Sequence, residues 1–157
     1  MLEAEAGAAQ TASRQSAPAP VYSGLDMIQR IAPPGAPTPR GPYSPAVRAG
    51  DFIFVSGQVS IDPASDSLRL GDIREQTRQV LENIRRILEG CGATTADVVQ
   101  CSVFLEDARD FPAMNEVYGQ FFGETKPART TVEAKFMAPG IKIEIDCVAY
   151  KPARSTG

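Results

Sequence analysis

Along residues 43–150 the apolar pattern switches between a period of two and a period near 3.6. The order of the switches, β, α, β, α, β, β, restricts the chain to a small set of folds. Asp51 to Gln58 (DFIFVSGQ), aromatic and β-branched after the turn pair Ala49-Gly50, predicts a strand. Asp72 and Glu75 then form a D-x-x-E capping pattern, and Ile73, Thr77, Val80, Leu81, Ile84, Ile87, Leu88 and Cys91 recur at helical spacing up to Gly90 and Gly92. The opposite face carries Arg74, Glu75, Arg78, Glu82, Arg85, Arg86 and Glu89, with Glu82 and Arg86 an i,i+4 pair. Val98 to Leu105 predicts a strand with Val99, Cys101, Val103 and Leu105 on one face. A second helix follows, with Asp110 as N-cap, Pro112 in its first turn, and a buried stripe of Phe111, Met114, Tyr118, Phe121 and Phe122.

Ala128 to Phe136 and Ile141 to Tyr150 read as the last two strands, joined by Met137-Ala138-Pro139-Gly140 as a hairpin. Pairing Phe136 with Ile141 puts Thr130, Val132, Ala134 and Phe136 on one apolar face with Ile143, Ile145, Cys147 and Ala149. Arg129, Thr131, Glu133 and Lys135 then share the other face with Lys142, Glu144, Asp146 and Val148. In that register Arg129 and Glu144 lie about 13 Å apart on one strand face, at about 3.3 Å per residue. Strands mixed with two helices predict an α+β layer, both helices packed on one face of a mixed sheet.

A chain of 157 residues is one domain's worth. Seven of the thirteen prolines fall in the first 42 residues, so 1–26 reads as a disordered extension or cloning remnant, 27–152 as the domain and 153–157 as a tail. A net charge of −3 without a basic block argues against nucleic acid as a partner, and no apolar run approaches the roughly 20 residues of a membrane span. The three cysteines are odd in number and lack C-x-x-C spacing, which points to core thiols in a reducing cytoplasm. There is no histidine, so imidazole chemistry is excluded and a general base must be a carboxylate, tyrosine, thiol, lysine or water.

Two polar residues stand where packing alone would choose otherwise: Ser56, closing an apolar strand before Gly57, and Asn115, on a helix face with Phe111, Tyr118 and Phe122. From spacing alone a helix-to-loop hydrogen bond is the favoured reading of Asn115, and strand-end turn chemistry accounts for Ser56 and Gly57. From spacing alone, Arg129 and Glu144 read first as structural sheet residues, Arg129 in an ion pair with a carboxylate such as Asp146.

The runs Gly41-Pro42-Tyr43-Ser44-Pro45-Ala46, Phe54-Val55-Ser56-Gly57-Gln58, Met114-Asn115-Glu116-Val117-Tyr118, Pro127-Ala128-Arg129-Thr130-Thr131-Val132-Glu133 and Ile143-Glu144-Ile145-Asp146 together resemble the Rid (YjgF) family of enamine/imine deaminases. The resemblance covers Met27 to about Lys151. It implies a RidA-like, chorismate-mutase-like subunit assembled as a homotrimer with clefts between subunits, using no metal or organic cofactor. It also implies hydrolysis of 2-iminopropanoate and 2-iminobutanoate to 2-oxo acids and ammonia. Carried over by position, Arg129 binds the substrate carboxylate, Glu144 positions the water, and Tyr43, Ser56, Gly57 and Asn115 line the cleft. Thr131 stands where many members have cysteine, so thiol chemistry is not implied there. Rival readings are a larger enamine such as 2-aminomuconate, with Lys142 or Lys135 as a second cation, and a non-catalytic trimeric oxo-acid-binding or chaperone-like protein. RNA cleavage is the least supported, given the acidic balance and the missing histidine.

Overall fold

A computed structural model describes residues 28–152; the segments 1–26 and 153–157, read above as extension and tail, lie outside the described residues. The capping pattern acts as its spacing requires. Asp72 accepts from the Glu75 amide at 2.9 Å, and the Glu75 carboxylate accepts from the Asp72 amide at 3.0 Å, opening α1 (Ile73–Gly90). Its exit is fixed by Gly92 in the left-handed region, φ +77°, while the Ala93 amide returns to the Leu88 carbonyl at 2.9 Å. Every residue of the expected apolar stripe is buried, and Gln76, Gln79 and Asn83 are buried with it.

The strands are β1 (Ile28–Ile31), β2 (Ala46–Ala49), β3 (Phe52–Gln58), a small hairpin of β4 (Ile61–Asp62) and β5 (Ser67–Leu68), then β6 (Val98–Leu105), β7 (Ala128–Glu133) and β8 (Ile143–Tyr150). Six of them form one mixed sheet in the order β1-β2-β3-β8-β6-β7. Between β6 and β7 runs α2 (Phe111–Phe122), and both helices pack on the same sheet face around Ile84, Leu88, Met114, Ile143 and Ile145. The α+β layer with two helices on one face is therefore as expected. Cys91, Cys101 and Cys147 are free, buried thiols of this core. Among the described residues no helix is long and apolar enough to cross a membrane.

The terminal hairpin is not formed. β7 pairs parallel with β6, Arg129 opposite Cys101, and β8 pairs antiparallel with the other edge of β6, Cys147 opposite Cys101. β6 thus lies between the two strands that sequence reasoning had joined. The physical reason is the β6-α2-β7 crossover: a strand, a helix and a strand close as a parallel unit, leaving residues 134–142 to span β6. The faces of β8 are as expected, but those of β7 are reversed. Arg129 and Thr131 lie on the helix side with Cys101 and Val103, whereas Thr130 and Val132 lie on the open side with Ser102 and Phe104. A second correction concerns β6, where a register shift between Val98 and Gln100 buries Val98 and leaves Val99 44% exposed. In α2, Phe111 is exposed and Val117 takes a place in the buried stripe.

The sheet face away from the helices is covered by no element of the described chain. Phe52, Phe54, Val132 and Tyr150 are each more than two-fifths exposed there, and the Phe52 and Tyr150 rings face each other across β3 and β8 at 5.2 Å.

Candidate functional site

Four of the expected site residues converge where β3 leaves β8. Val55 is opposite Cys147 and Gln58 opposite Ile145, so three steps on β3 match two on β8, and Ser56 and Gly57 occupy a bulge. The bulge is tied to the loop before β2: the Ser56 amide donates to the Pro45 carbonyl at 3.0 Å, and Ser56 Oγ donates to the Ser44 carbonyl at 2.6 Å. These bonds bring Tyr43 over the bulge, its hydroxyl accepting from the Arg40 amide at 3.1 Å. Tyr43, Ser56, Gly57 and Glu144 line one open cleft of about 800 Å³.

Glu144 lies directly on Gly57. A Cβ added at that glycine would stand 2.0 Å from Glu144 Oε1, so no larger residue fits without moving the carboxylate. Glu144 is half-buried, and burial first, then the nearby Asp146 charge, pushes its carboxyl above the usual carboxylate range. A carboxylate held in this way gains basicity without histidine. We expect Gly57→Ala to displace Glu144 and to bring its titration down toward the ordinary carboxylate range, measured by NMR titration of the carboxyl.

Arg129 is elsewhere. Its guanidinium carbon sits 4.6 Å over the Tyr118 ring and 5.6 Å from the centre of the Phe111 ring, on the helix side of edge strand β7. Among the described residues it makes no ion pair. Asn115, exposed on α2, lies on the helix face between Phe111 and Tyr118. Arg129 and Glu144 therefore occupy opposite faces of one sheet with β6 between them, contrary to the shared face expected from the hairpin. Two strand spacings across and three residues along separate their backbones by roughly 14 Å. Within one subunit the six residues form two half-sites: Tyr43, Ser56, Gly57 and Glu144 in the cleft, and Arg129 with Asn115 at the sheet edge.

Thr131, two residues after Arg129, buries its Oγ1 without a hydrogen-bond partner. Under the Arg129 guanidinium, burial first and then the neighbouring Cys101 push the Tyr118 phenol well above its usual range. Sequence reasoning missed Arg40, which reaches the cleft and pairs with Asp66 across its mouth at 3.6 Å, and it took Phe111 and Tyr118 only as core. Their i,i+7 spacing around Asn115 was the available signal for an aromatic seat. Among the described residues no cluster of three or more Cys, Asp or Glu side chains is arranged to hold a metal ion.

The architecture defines a class: a small α+β layer with one sheet face bare among the described residues, a cleft lined by Glu144 on that side, and Arg129 on the helix side of the same sheet. The Endoribonuclease L-PSP family matches residues 34–151. A RutC family protein of Pyrococcus horikoshii is 52% identical over 116 residues, covering 74% of this chain and 92% of its own. The 3-aminoacrylate deaminase RutC of Acinetobacter baylyi is 42% identical over 120 residues, 76% of this chain and 95% of its own. The crystal structure of the YjgF gene product from E. coli superposes with a TM-score of 0.73 at 36% identity, covering 78% of this chain and 98% of that one. The chain belongs to the YjgF/Rid family of Endoribonuclease L-PSP proteins.

Proposed function

We propose that the protein is an enamine/imine deaminase, hydrolysing 2-imino acids such as 2-iminopropanoate and 2-iminobutanoate at a site shared between neighbouring subunits of a homotrimer. The observation that carries this reading is the split itself. A guanidinium with no ion pair among the described residues is seated on aromatic rings at one edge, and a half-buried carboxylate lies in a cleft on the other side of the sheet. The bare aromatic sheet face supplies a surface that closed symmetry would bury. A RutC relative named for deaminating 3-aminoacrylate, a three-carbon enamine acid, supports the chemical class.

The reaction needs few groups. Arg129 holds the substrate carboxylate through paired charge-assisted hydrogen bonds, its orientation set by Tyr118 and Phe111. Glu144 takes a proton from water as the oxygen attacks the iminium carbon, giving a carbinolamine. The same carboxyl returns the proton to nitrogen and then accepts the hydroxyl proton as the C–N bond breaks and the carbonyl forms, so that 2-oxo acid and ammonia leave and the last proton passes from Glu144 to ammonia or water. Tyr43, Ser56, Gly57 and Asn115 shape the cleft around this exchange. Neither metal nor organic cofactor enters the scheme, and the buried thiols suit a reducing cytoplasm.

The test is to generate 2-iminobutanoate in situ with a dehydratase and follow oxo-acid release with and without the protein. Acceleration is expected; an unchanged rate alongside tight oxo-acid binding would favour a non-catalytic binding or chaperone-like role. Light scattering at micromolar concentration is expected to give three subunits, and a monomer would contradict the shared site.

One observation favours a larger substrate as a second reading. The cleft of about 800 Å³ exceeds the need of a four-carbon acid, and its lining includes the cation Arg40, whereas Lys142 and Lys135 do not line it. An enamine with a second carboxylate, such as 2-aminomuconate, would compete with Asp66 for Arg40, and Arg40→Ala would then weaken that substrate alone. RNA cleavage has only the family description behind it, set against a net charge of −3 and the absence of histidine.

A further inference from the structure

The buried face of α1 carries three amides: Gln76 and Asn83 are wholly buried and Gln79 nearly so. Buried amides need partners, and here the decisive ones lie outside the helix, on backbone that flanks the cleft-lining residue Ile141 and on Ile61, which lines the cleft. Gln76 Nε2 donates to the Gly140 carbonyl at 2.8 Å and to the Gly71 carbonyl at 3.2 Å, while Gln76 Oε1 accepts from the Lys142 amide at 2.9 Å. The side chain thereby bonds residues 140–142 as a neighbouring strand would. Asn83 Nδ2 donates to the Ile61 carbonyl at 2.8 Å, on the opposite wall, and Gln79 Nε2 donates to Asn83 Oδ1 at 2.9 Å.

We infer that Gln76 is a positioning residue for Glu144, fixing the start of β8 so that the carboxylate lies against Gly57; the inference rests on the reading of Glu144 as the water-activating base. The chain of constraint is short. Gly140 holds a left-handed φ of +85°, a conformation that favours glycine at this turn. The Lys142 carbonyl accepts from the Glu106 amide at 2.9 Å, holding the segment from the β6 side while Gln76 holds it from the helix side. Ile143 follows, fully buried, and Glu144 is next. Removing the Gln76 amide takes the side-chain partner from two carbonyls and one amide hydrogen at exposed or part-buried positions. Water can replace those bonds but not the tether to α1, so the segment is free to shift and to carry Glu144 off Gly57.

The experiment follows the Glu144 carboxyl by NMR titration beside steady-state kinetics in Gln76→Met, with Thr77→Val as control. Thr77 is equally buried, but its hydroxyl bonds only the Ile73 carbonyl within α1, at 2.6 Å. Gln76→Met is expected to bring the Glu144 titration down toward the ordinary carboxylate value and to lower kcat about 10- to 100-fold, with oxo-acid binding changed less than about twofold. Thr77→Val should move neither. Should Gln76→Met fail to fold, Gln76→Glu keeps the acceptor for the Lys142 amide while losing the donors when ionised, and the same direction of change is expected there. A Glu144 titration that stays at its wild-type position in the folded Gln76 variant overturns the inference, as does an equal change in Thr77→Val. If the wild-type protein hydrolyses no imine, the deaminase reading falls, and the titration still decides whether Gln76 places Glu144.

Discussion

Arg129→Ala is expected to abolish turnover and to weaken 2-oxo acid binding by about 100-fold or more, because it removes the proposed anchor for the substrate carboxylate. A paired charge-assisted hydrogen bond to a carboxylate is worth about 3 kcal/mol or more where water is excluded. Arg129 makes no ion pair among the described residues, so the substitution breaks no salt bridge, and stability should fall by about 1 kcal/mol through the lost stacking on Tyr118 and Phe111. Isothermal titration with 2-oxobutanoate, beside thermal melting, separates the two effects. Arg129→Lys keeps the charge but loses the planar fork stacked on Tyr118, and should recover only a minor part of the binding. Normal oxo-acid binding by Arg129→Ala would move the anchor elsewhere.

Glu144→Gln is expected to lower kcat by roughly 100-fold or more, the usual scale for loss of a general base, while oxo-acid binding persists. The sign of its effect on stability is also fixed. Burial raises the folded pKa of Glu144, so the folded state binds its proton more tightly than the unfolded chain does. Stability therefore falls as pH rises from the ordinary value near 4.5 through the raised folded value, and at neutral pH the ionised carboxylate costs the fold free energy. The amide introduced by Glu144→Gln carries no charge, so the variant should melt higher than wild type at pH 7 and lose that advantage below pH about 4. Activity of the wild-type enzyme should decline on the acid side over the same raised titration. Full deaminase activity in Glu144→Gln would remove its role in activating water.

What was legible in the sequence divides along physical lines. Both helices could be read because each announces itself locally: Asp72 and Glu75 close a capping box, and the α1 stripe keeps its period for five turns' worth of buried positions. The alternation of β8 was equally plain, since every second residue from Ile143 to Ala149 is buried. Strand partnership was not, because alternation names a face and not a neighbour. β7 is an edge strand in which Thr130 and Val132 look as core-like as Thr131, and only the crossover through α2 shows that Arg129 faces the helices. The same blindness put Arg129 and Glu144 on one surface.

The cleft residues were found through motif likeness, not through pattern. Ser56 and Gly57 sit in a bulge that no periodicity marks, and the reason for glycine becomes visible only with Glu144 lying on it. Arg40 escaped notice because it stands in a proline-rich loop where charge usually means solvent. Gln76 and Asn83 were passed over because a helix position between apolar neighbours reveals burial but not the distant carbonyls that use it.

The claim that one subunit supplies Arg129 and its neighbour Glu144 is tested most directly by mixing two inactive variants. In a ring of subunits, an Arg129→Ala copy still offers Glu144 and a Glu144→Gln copy still offers Arg129, so mixed trimers contain intact sites at some interfaces. Random co-assembly at equal amounts should restore about one quarter of wild-type imine hydrolysis, since each site draws its two residues independently from the two pools. Activity no greater than that of the separate variants, in trimers shown to be mixed, would place both residues of a site in one chain and contradict the account.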